Sequence, residues 1–182
     1  MKVLISLTVR KEFNVSSLFL TNSSSFDITS EFNQQEVTNA IDQMNREIVN
    51  RYDFKNTNTS VNLSNEIILL KSNTEERLLA ADQVLREKFA KRNVSIKFLS
   101  NFSDEQTPSE VKREYTLKSG LDKEMSKIIV KDLKDFSKKL QSSIQNESIR
   151  ITSKKRDELQ DAISFLKSKN YKVFLNYGNF RD

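Results

Sequence analysis

Two hydrophobic spacings, one of two residues and one of three to four, alternate along this chain in a fixed order, and that order occurs twice. Residues 25–32 alternate, with Phe26, Ile28 and Phe32 on one side and Asp27, Thr29 and Glu31 on the other, the pattern of a half-buried strand. Asn33 to Glu36 read as a capping box. Val37, Ile41, Met44 and Ile48 follow at helical spacing, predicting a helix to about Arg51. Val61 and Leu63, a turn at Ser64-Asn65 and a strand over 66–71 predict a hairpin. A second capping box, Asn73-Thr74-Glu75-Glu76, opens a helix with Leu78, Ala81, Leu85 and Phe89 inward that ends near Asn93. Val94, Ile96 and Phe98 then alternate as a strand.

A polar, turn-like stretch at 103–109 holds the one proline, Pro108, and after it the order returns. A strand is predicted over 111–118, with Val111, Tyr115 and Leu117 on one side. A helix follows Gly120 to about Phe136, with Leu121, Met125, Ile128 or Ile129, and Leu133 inward. Leu140, Ser142 and Ile144 form a strand, Asn146-Glu147 a turn, and 148–152 the returning strand with Ile149 and Ile151. A helix over 154–169 buries Leu159, Ile163 and Leu166, and 172–177 closes as the last strand. Each βαββαβ unit can build a four-stranded antiparallel sheet with two helices on one face. The expected fold class is therefore α+β, two tandem ferredoxin-like sandwiches. The expected division is a disordered extension over 1–24, a first domain over 25–105 and a second over 110–182. About ten residues join 94–100 to 111–118, a length that suits an antiparallel hairpin. If those strands pair, the second unit's first strand lies in the first unit's sheet, and 25–32 is free to complete the second. The units are expected to exchange their first strands.

The 182 residues include no Cys and no His. That excludes disulfides, thiolate zinc sites, Cys and Ser–His nucleophile systems and imidazole bases. Carboxylate or lysine catalysis, nucleotide hydrolysis for instance, stays open as a minor alternative to a protein that catalyses nothing; no cofactor is implied. The two glycines lie far apart, which excludes a Gly-rich phosphate loop and the aromatic-glycine run of RNA-recognition motifs. The predicted open sheet faces carry Asp27, Thr29, Glu31, Gln141, Ser143, Arg150 and Thr152 rather than aromatics, so bases are not expected to stack there. No apolar run approaches the roughly 18–20 residues that cross a bilayer, and a cytoplasmic location is expected. Residues 1–22, whose apolar part is broken by Arg10, Lys11 and Glu12, read as an extension, with an organelle-targeting segment as the alternative.

Charge concentrates late: 17 bases against 11 acids fall within 109–182, a modest pointer to an anionic partner. The chemically strongest run is Thr152-Ser153-Lys154-Lys155-Arg156 at the start of the fourth helix, with Arg150 on the strand before it. A helix N-terminus carries free N–H groups and positive partial charge, so cations there call for a counter-charge. A bound phosphate would supply it; Asp157 and Glu158 would supply it equally from within the helix. Lys123, Lys127, Lys131, Lys134 and Lys138 recur on one side of the third helix, either a phosphate-tracking stripe or a solvated face relieved by Glu124, Asp132 and Asp135. Arg46, Arg51 and Arg92 form a basic set in the first half, with Arg51 placed to pair with Asp53 or cap its helix. No metal site is read from Asp122 and Glu124.

Several blocks resemble one family. Ser25-Phe26-Asp27-Ile28 with Ser30-Glu31 is similar to the SFDI-x-SE opening of the YajQ family of bacterial nucleotide-binding proteins. Gln35-Glu36-Val37, Asn39-Ala40, Asn45-Arg46-Glu47, Arg51-Tyr52-Asp53-Phe54, Leu85-Arg86-Glu87-Lys88 and Lys91-Arg92 continue it. So do Lys118-Ser119-Gly120-Leu121-Asp122, Lys127-Ile128-Ile129-Val130-Lys131, Ser143-Ile144-Gln145, Arg150-Ile151-Thr152, Arg156-Asp157-Glu158-Leu159-Gln160 and Asn179-Phe180-Arg181-Asp182. The resemblance runs from about Ser24 to Asp182. It implies two ferredoxin-like domains with exchanged strands and nucleotide or RNA binding without a known reaction. It further implies that some members receive cyclic di-GMP and contact transcription regulators. Two departures stand out: Ser153 where a glycine is usual, and Tyr177-Gly178 where Phe-Lys is usual. The expected partners are thus a nucleotide or cyclic dinucleotide, with RNA or a transcription regulator beyond it and no membrane; the oligomeric state is left open.

Overall fold

Alternation of buried and exposed side chains sorts the strands into two sheets, each covered by helices on one face. The computed structural model describes residues 23–182. In chain order the elements are β1 (Ser24–Thr29), α1 (Gln34–Asn50), β2 (Ser60–Ser64), β3 (Ile67–Ser72), α2 (Glu75–Lys91) and β4 (Leu99–Gln106), followed by β5 (Val111–Leu117), α3 (Lys123–Phe136), β6 (Gln141–Gln145), β7 (Ser148–Ser153), α4 (Arg156–Ser168) and β8 (Asn176–Arg181). The expected extension lies outside the described residues as far as Asn22, and Ser24 already belongs to β1.

The sheets have the orders β2-β3-β5-β4 and β6-β7-β1-β8, every pairing antiparallel. The first strands are exchanged. β5, from the second half of the chain, lies between β3 and β4, and β1, from the first half, lies between β7 and β8. Each replaces the inner strand that its host sheet would otherwise lack, so both hosts are antiparallel four-stranded sheets of ferredoxin-like order. α1 and α2 pack on the first sheet, α3 and α4 on the second.

Two cores result. Val37, Met44, Leu78, Leu85 and Phe89 meet Ile68, Leu70, Tyr115 and Leu117 beneath α1 and α2. Phe26, Ile28, Ile149 and Ile151, all at 0% exposure, meet Ile129, Leu133, Leu159 and Leu166 beneath α3 and α4. The register sets Phe26 opposite Ile151 and Ile28 opposite Ile149. Each such side chain contributes about 1.5–3 kcal/mol by leaving water, so β1 is held by apolar burial as well as by its ladders.

The capping residues account for the helix starts. Asn33 accepts hydrogen bonds from the N–H groups of Gln35 and Glu36, and Asp122 accepts from that of Met125. At α2 the cap is Thr74, one residue past the expected Asn73, accepting from Arg77 N–H. Turns that need a left-handed residue use asparagine: Asn65 and Asn146 close the two tight hairpins at positive φ, as do Asn56, Asn58, Asn93 and Asn179 elsewhere. Asparagine tolerates this region through its short polar side chain, which suits a chain with two glycines.

Four boundaries differ from expectation. Phe32 lies beyond the end of β1 and packs on the first core, whereas Phe26 and Ile28 fill the second. Residues 96–98 form a 3₁₀ turn instead of a strand, because Val94 and Phe98, four apart, both point inward while Ile96 is half exposed. The strand starts at Leu99 and continues through the stretch expected to be a turn. Its polar sequence fits an edge strand paired on one side only, and the turn narrows to Thr107–Glu110, where Thr107 N–H donates to the Glu110 carbonyl at 2.8 Å. The last strand begins at Asn176, because 172–175 belongs to a crossing segment. There Lys97 Nζ donates to the Tyr171 carbonyl at 2.7 Å, and the Tyr171 hydroxyl to Asp132 at 2.8 Å.

The exchange requires two connections to pass one another, from β1 to α1 and from β5 to α3. They touch at one main-chain hydrogen bond, Gly120 N–H to the Ser30 carbonyl, 2.7 Å. Gly120 sits at φ +83°, and a Cβ there would meet Glu147 Oε2 at 2.6 Å. Gly120→Ala should therefore cost roughly 1–2 kcal/mol, the left-handed penalty, measured by urea unfolding; an unchanged midpoint would show that the crossing relaxes freely. Since each sheet is completed by the other half, calorimetry should also show one cooperative unfolding transition. Two separable endotherms would mean that the halves are independent.

Candidate phosphate-binding cleft and the basic surfaces

The run at the start of α4 is arranged differently from its expected form. The helix begins at Arg156, not Lys154, with Lys155 as its cap residue and no side-chain cap. Asp157 and Glu158 lie in the first turn, where the helix dipole favours acids. Lys154 and Lys155 precede the helix, which relieves the crowding of three cations that the sequence suggests. Ser153 points inward at 4% exposure; its Oγ donates to Glu158 and accepts from Lys155 N–H at 3.4 Å. Its hydroxyl is thus used within the fold. The hydrogen bond from Ser153, then the Lys139 ammonium 3.4 Å away, hold the Glu158 carboxyl below its ordinary range against the effect of burial.

These groups border a cleft of about 490 Å³ at one end of the second sheet. Ser153, Lys154 and Lys155 line it, together with Lys139, Gln141, Thr152 and Glu158. Three lysines thus line the cleft beside one carboxylate, itself engaged by Ser153 and Lys139. Lys139 is the residue that sequence reasoning left out. It follows the lysine series of α3 and enters the cleft because α3 ends at Phe136 and the chain turns directly into β6. The sequence alone gives Glu158 only as a counter-charge to the cations at the helix start, whereas the structure places it on the cleft wall.

Two members of the expected set stand apart from the cleft. Arg156 is largely exposed and pairs with Asp182 at 3.3 Å. Arg150 lies on the open face of the second sheet and clasps Asp27 with two hydrogen bonds, 2.7 and 2.8 Å. Asp27 and Arg150 are register partners across β1 and β7, so the clasp spans the exchanged strand. The hydrogen bond from Arg150 holds the Asp27 carboxyl below its ordinary value of 3.8, against burial and with help from Asn179 and Arg181.

The five α3-side lysines, Lys123, Lys127, Lys131, Lys134 and Lys138, are all exposed, and among the described residues none lies in an ion pair. Lys138 lies past the helix end. Asp132 gives its carboxylate to Tyr171 instead of relieving them. The first-half set is not brought together as a patch. Arg51 is held by Asp53 and Glu47 and lies over the Phe54 ring. Arg92 meets Glu36 at 3.4 Å, tying α2 to α1, and Arg46 is exposed on α1.

Residues 24–181 match the family model described as nucleotide-binding protein YajQ-like. A protein of Hahella chejuensis named nucleotide-binding protein is 40% identical over 159 residues, covering 87% of this chain and 99% of the relative. One from Parafrankia is 42% identical over 158 residues, covering 86% and 98%. One from Trichodesmium erythraeum is 41% identical over 164 residues, covering 89% and 100%. Both of these also carry the name nucleotide-binding protein.

The Asp27–Arg150 clasp has a pH signature. A carboxyl whose folded pKa is depressed contributes stability that is complete above its unfolded value and is lost as pH falls through the folded one. Stability should therefore fall as pH drops below about 4. Asp27→Asn should be less stable at pH 7 and lose less on acidification, so that unfolding midpoints of the two proteins converge as pH falls through the lowered Asp27 value. Parallel pH curves would show that the clasp is energetically silent.

Proposed function

Because the chain belongs to the YajQ-like family of nucleotide-binding proteins, we propose that it binds a nucleotide without transforming it, as a purine-nucleotide or cyclic di-GMP effector that modulates a macromolecular partner. The observation that carries this reading is the cleft beside α4, where Lys139, Lys154 and Lys155 converge on a volume of about 490 Å³. That volume lies in the range that holds small ligands. The excess of cations over Glu158 favours an anion, and lysines bind phosphate as point charges. Arg150 and Arg156 take no direct part in this reading, being committed to Asp27 and Asp182. The reading is one of binding because the family and its relatives are named for binding, and with no His or Cys the chain has only carboxylates, lysines and hydroxyls to offer a reaction. No described helix is long and apolar enough to cross a membrane.

Titration calorimetry with ATP, GTP and cyclic di-GMP tests it. At least one should bind, and Lys154→Ala with Lys155→Ala should weaken it by about tenfold, the equivalent of one charge-assisted hydrogen bond. Absence of heat with every ligand at millimolar concentration, or binding indifferent to both lysines, would count against it.

A second reading, RNA bound through a basic surface, is favoured by the α3-side lysines, which stand exposed in a row without acidic partners among the described residues. Affinity for RNA would then fall steeply with salt, and each of Lys127→Gln and Lys131→Gln would lower the salt slope by about 1. Absent or salt-independent binding would remove it.

A further inference from the structure

A groove of about 420 Å³ runs between the end of α4 and the crossing segment that leads into β8. Leu166, buried at 1% exposure, gives it an apolar floor, and the exposed Lys167 and Lys169 border it on the helix side. On the other side Val173 and Leu175, both half-buried, pack against the second core.

The three lysines of the groove are placed by what they touch. Lys167 Nζ lies 5.7 Å from the centre of the Tyr177 ring, so its side chain reaches from α4 across to β8. Lys169 caps the end of α4, its N–H on the Leu166 carbonyl at 3.2 Å and its ammonium 5.0 Å from the Phe165 ring. Lys97 Nζ donates to the Tyr171 carbonyl at 2.7 Å and to the Asn170 side chain at 3.3 Å. All these contacts are to neutral groups, so three positive charges stand without an ion-pair partner among the described residues. No described acid lines the groove. Asp132, which approaches it through Tyr171, is taken by that hydroxyl at 2.8 Å. Glu31 stands at one end, its N–H donating to the Asn176 side chain at 2.8 Å.

A second observation concerns the main chain. Among the described residues, the N–H and C=O groups of Lys172, Val173, Phe174 and Leu175 bond to no protein group. The strand that follows, β8, pairs with β1 on one side and leaves its other edge open. Unpaired main-chain groups beside an apolar groove are a template for an added strand, whose main chain gives affinity and whose side chains give specificity. A sugar–phosphate chain would meet the lysines but make no use of the aliphatic floor. A lipid tail would leave the free N–H and C=O groups unpaired.

We propose that this groove docks an extended, acidic segment of a partner protein. The segment lies along 172–175 and exchanges main-chain hydrogen bonds with it. Its aliphatic side chains rest on Leu166, Val173 and Leu175, and its carboxylates meet Lys97, Lys167 and Lys169. The groove shares no lining residue with the cleft beside α4 and requires no nucleotide.

Fluorescence anisotropy on the full chain tests this, with a labelled eight-residue peptide of alternating valine and glutamate. That peptide should bind, and its counterpart with lysine in place of glutamate should not. Lys167→Glu with Lys169→Glu should weaken the glutamate peptide by about tenfold or more and admit the lysine peptide, since like charges brought together oppose docking. Methylating alternate main-chain nitrogens of the peptide should also cost about tenfold, the equivalent of one or two lost hydrogen bonds. Both lysines are exposed, so the fold should be kept, which far-ultraviolet circular dichroism checks. Lys154→Ala with Lys155→Ala should leave peptide binding unchanged, whereas a null result with ATP, GTP and cyclic di-GMP bears on the cleft beside α4 alone. Four results would overturn the site: no binding by the unaltered protein at millimolar peptide, equal binding of the two peptides, indifference to main-chain methylation, or displacement of the peptide by oligouridylate with the same dependence on Lys167 and Lys169. The last would make the surface one for nucleic acid.

Discussion

The backbone hydrogen bonds of β1 and β5 are the constraint on which the rest of the molecule depends. An inner strand must satisfy N–H and C=O groups on both of its edges, and here each inner strand of this kind does so against neighbours from the other half of the chain. Pulling either strand out would expose two ladders and open a core. The crossing connections, the Gly120 to Ser30 hydrogen bond, the Asp27–Arg150 clasp and the Lys97 anchor on 170–171 all follow from that arrangement. Several of them join residues more than 70 positions apart, which ties the halves into one structural body.

The fold class and the exchange were legible because both rest on local information. Strand alternation, helical spacing and capping residues specify elements, and the short connection expected between 94–100 and 111–118 points to an antiparallel hairpin, which the structure tightens to 107–110 between β4 and β5. The misplaced boundaries came where tertiary context overrode local pattern. β4 is polar because it is an edge strand, and its pairing to β5 cannot be read from Ser103, Asp104 and Glu105 alone. Val94, Ile96 and Phe98 fit a two-residue period in sequence, yet the first core uses only the outer pair, four apart. Phe32 continues the alternation of β1 on paper while packing in the opposite core, since the chain changes sides at Ser30.

The candidate sites were less legible, for a related reason. A cleft is made by residues that are neighbours only after folding, and sequence shows charge without showing what that charge already touches. Arg150, Arg156, Arg51 and Arg92 are cations in sequence and ion-pair partners in the structure. Lys139 is the reverse case, one lysine among many in sequence and part of a cleft wall once β6 is in place. Tyr115 makes the same point among buried groups: an apparently ordinary core aromatic, it donates from its hydroxyl to Asp82 at 2.5 Å, and Asp82 is held in turn by Arg86.

The exchanged strands also set a timetable for synthesis. β1 is the first described element to leave the ribosome, but Asp27 meets Arg150 only 123 positions later and Asn179 only 152 positions later. At translation rates of about 5–20 residues per second, that is a delay of roughly 6–30 seconds. During it the strand has neither of its final neighbours, and its Phe26 and Ile28 have no core to enter. The nascent protein must therefore keep an apolar strand from errant pairing until almost its last residue has been added.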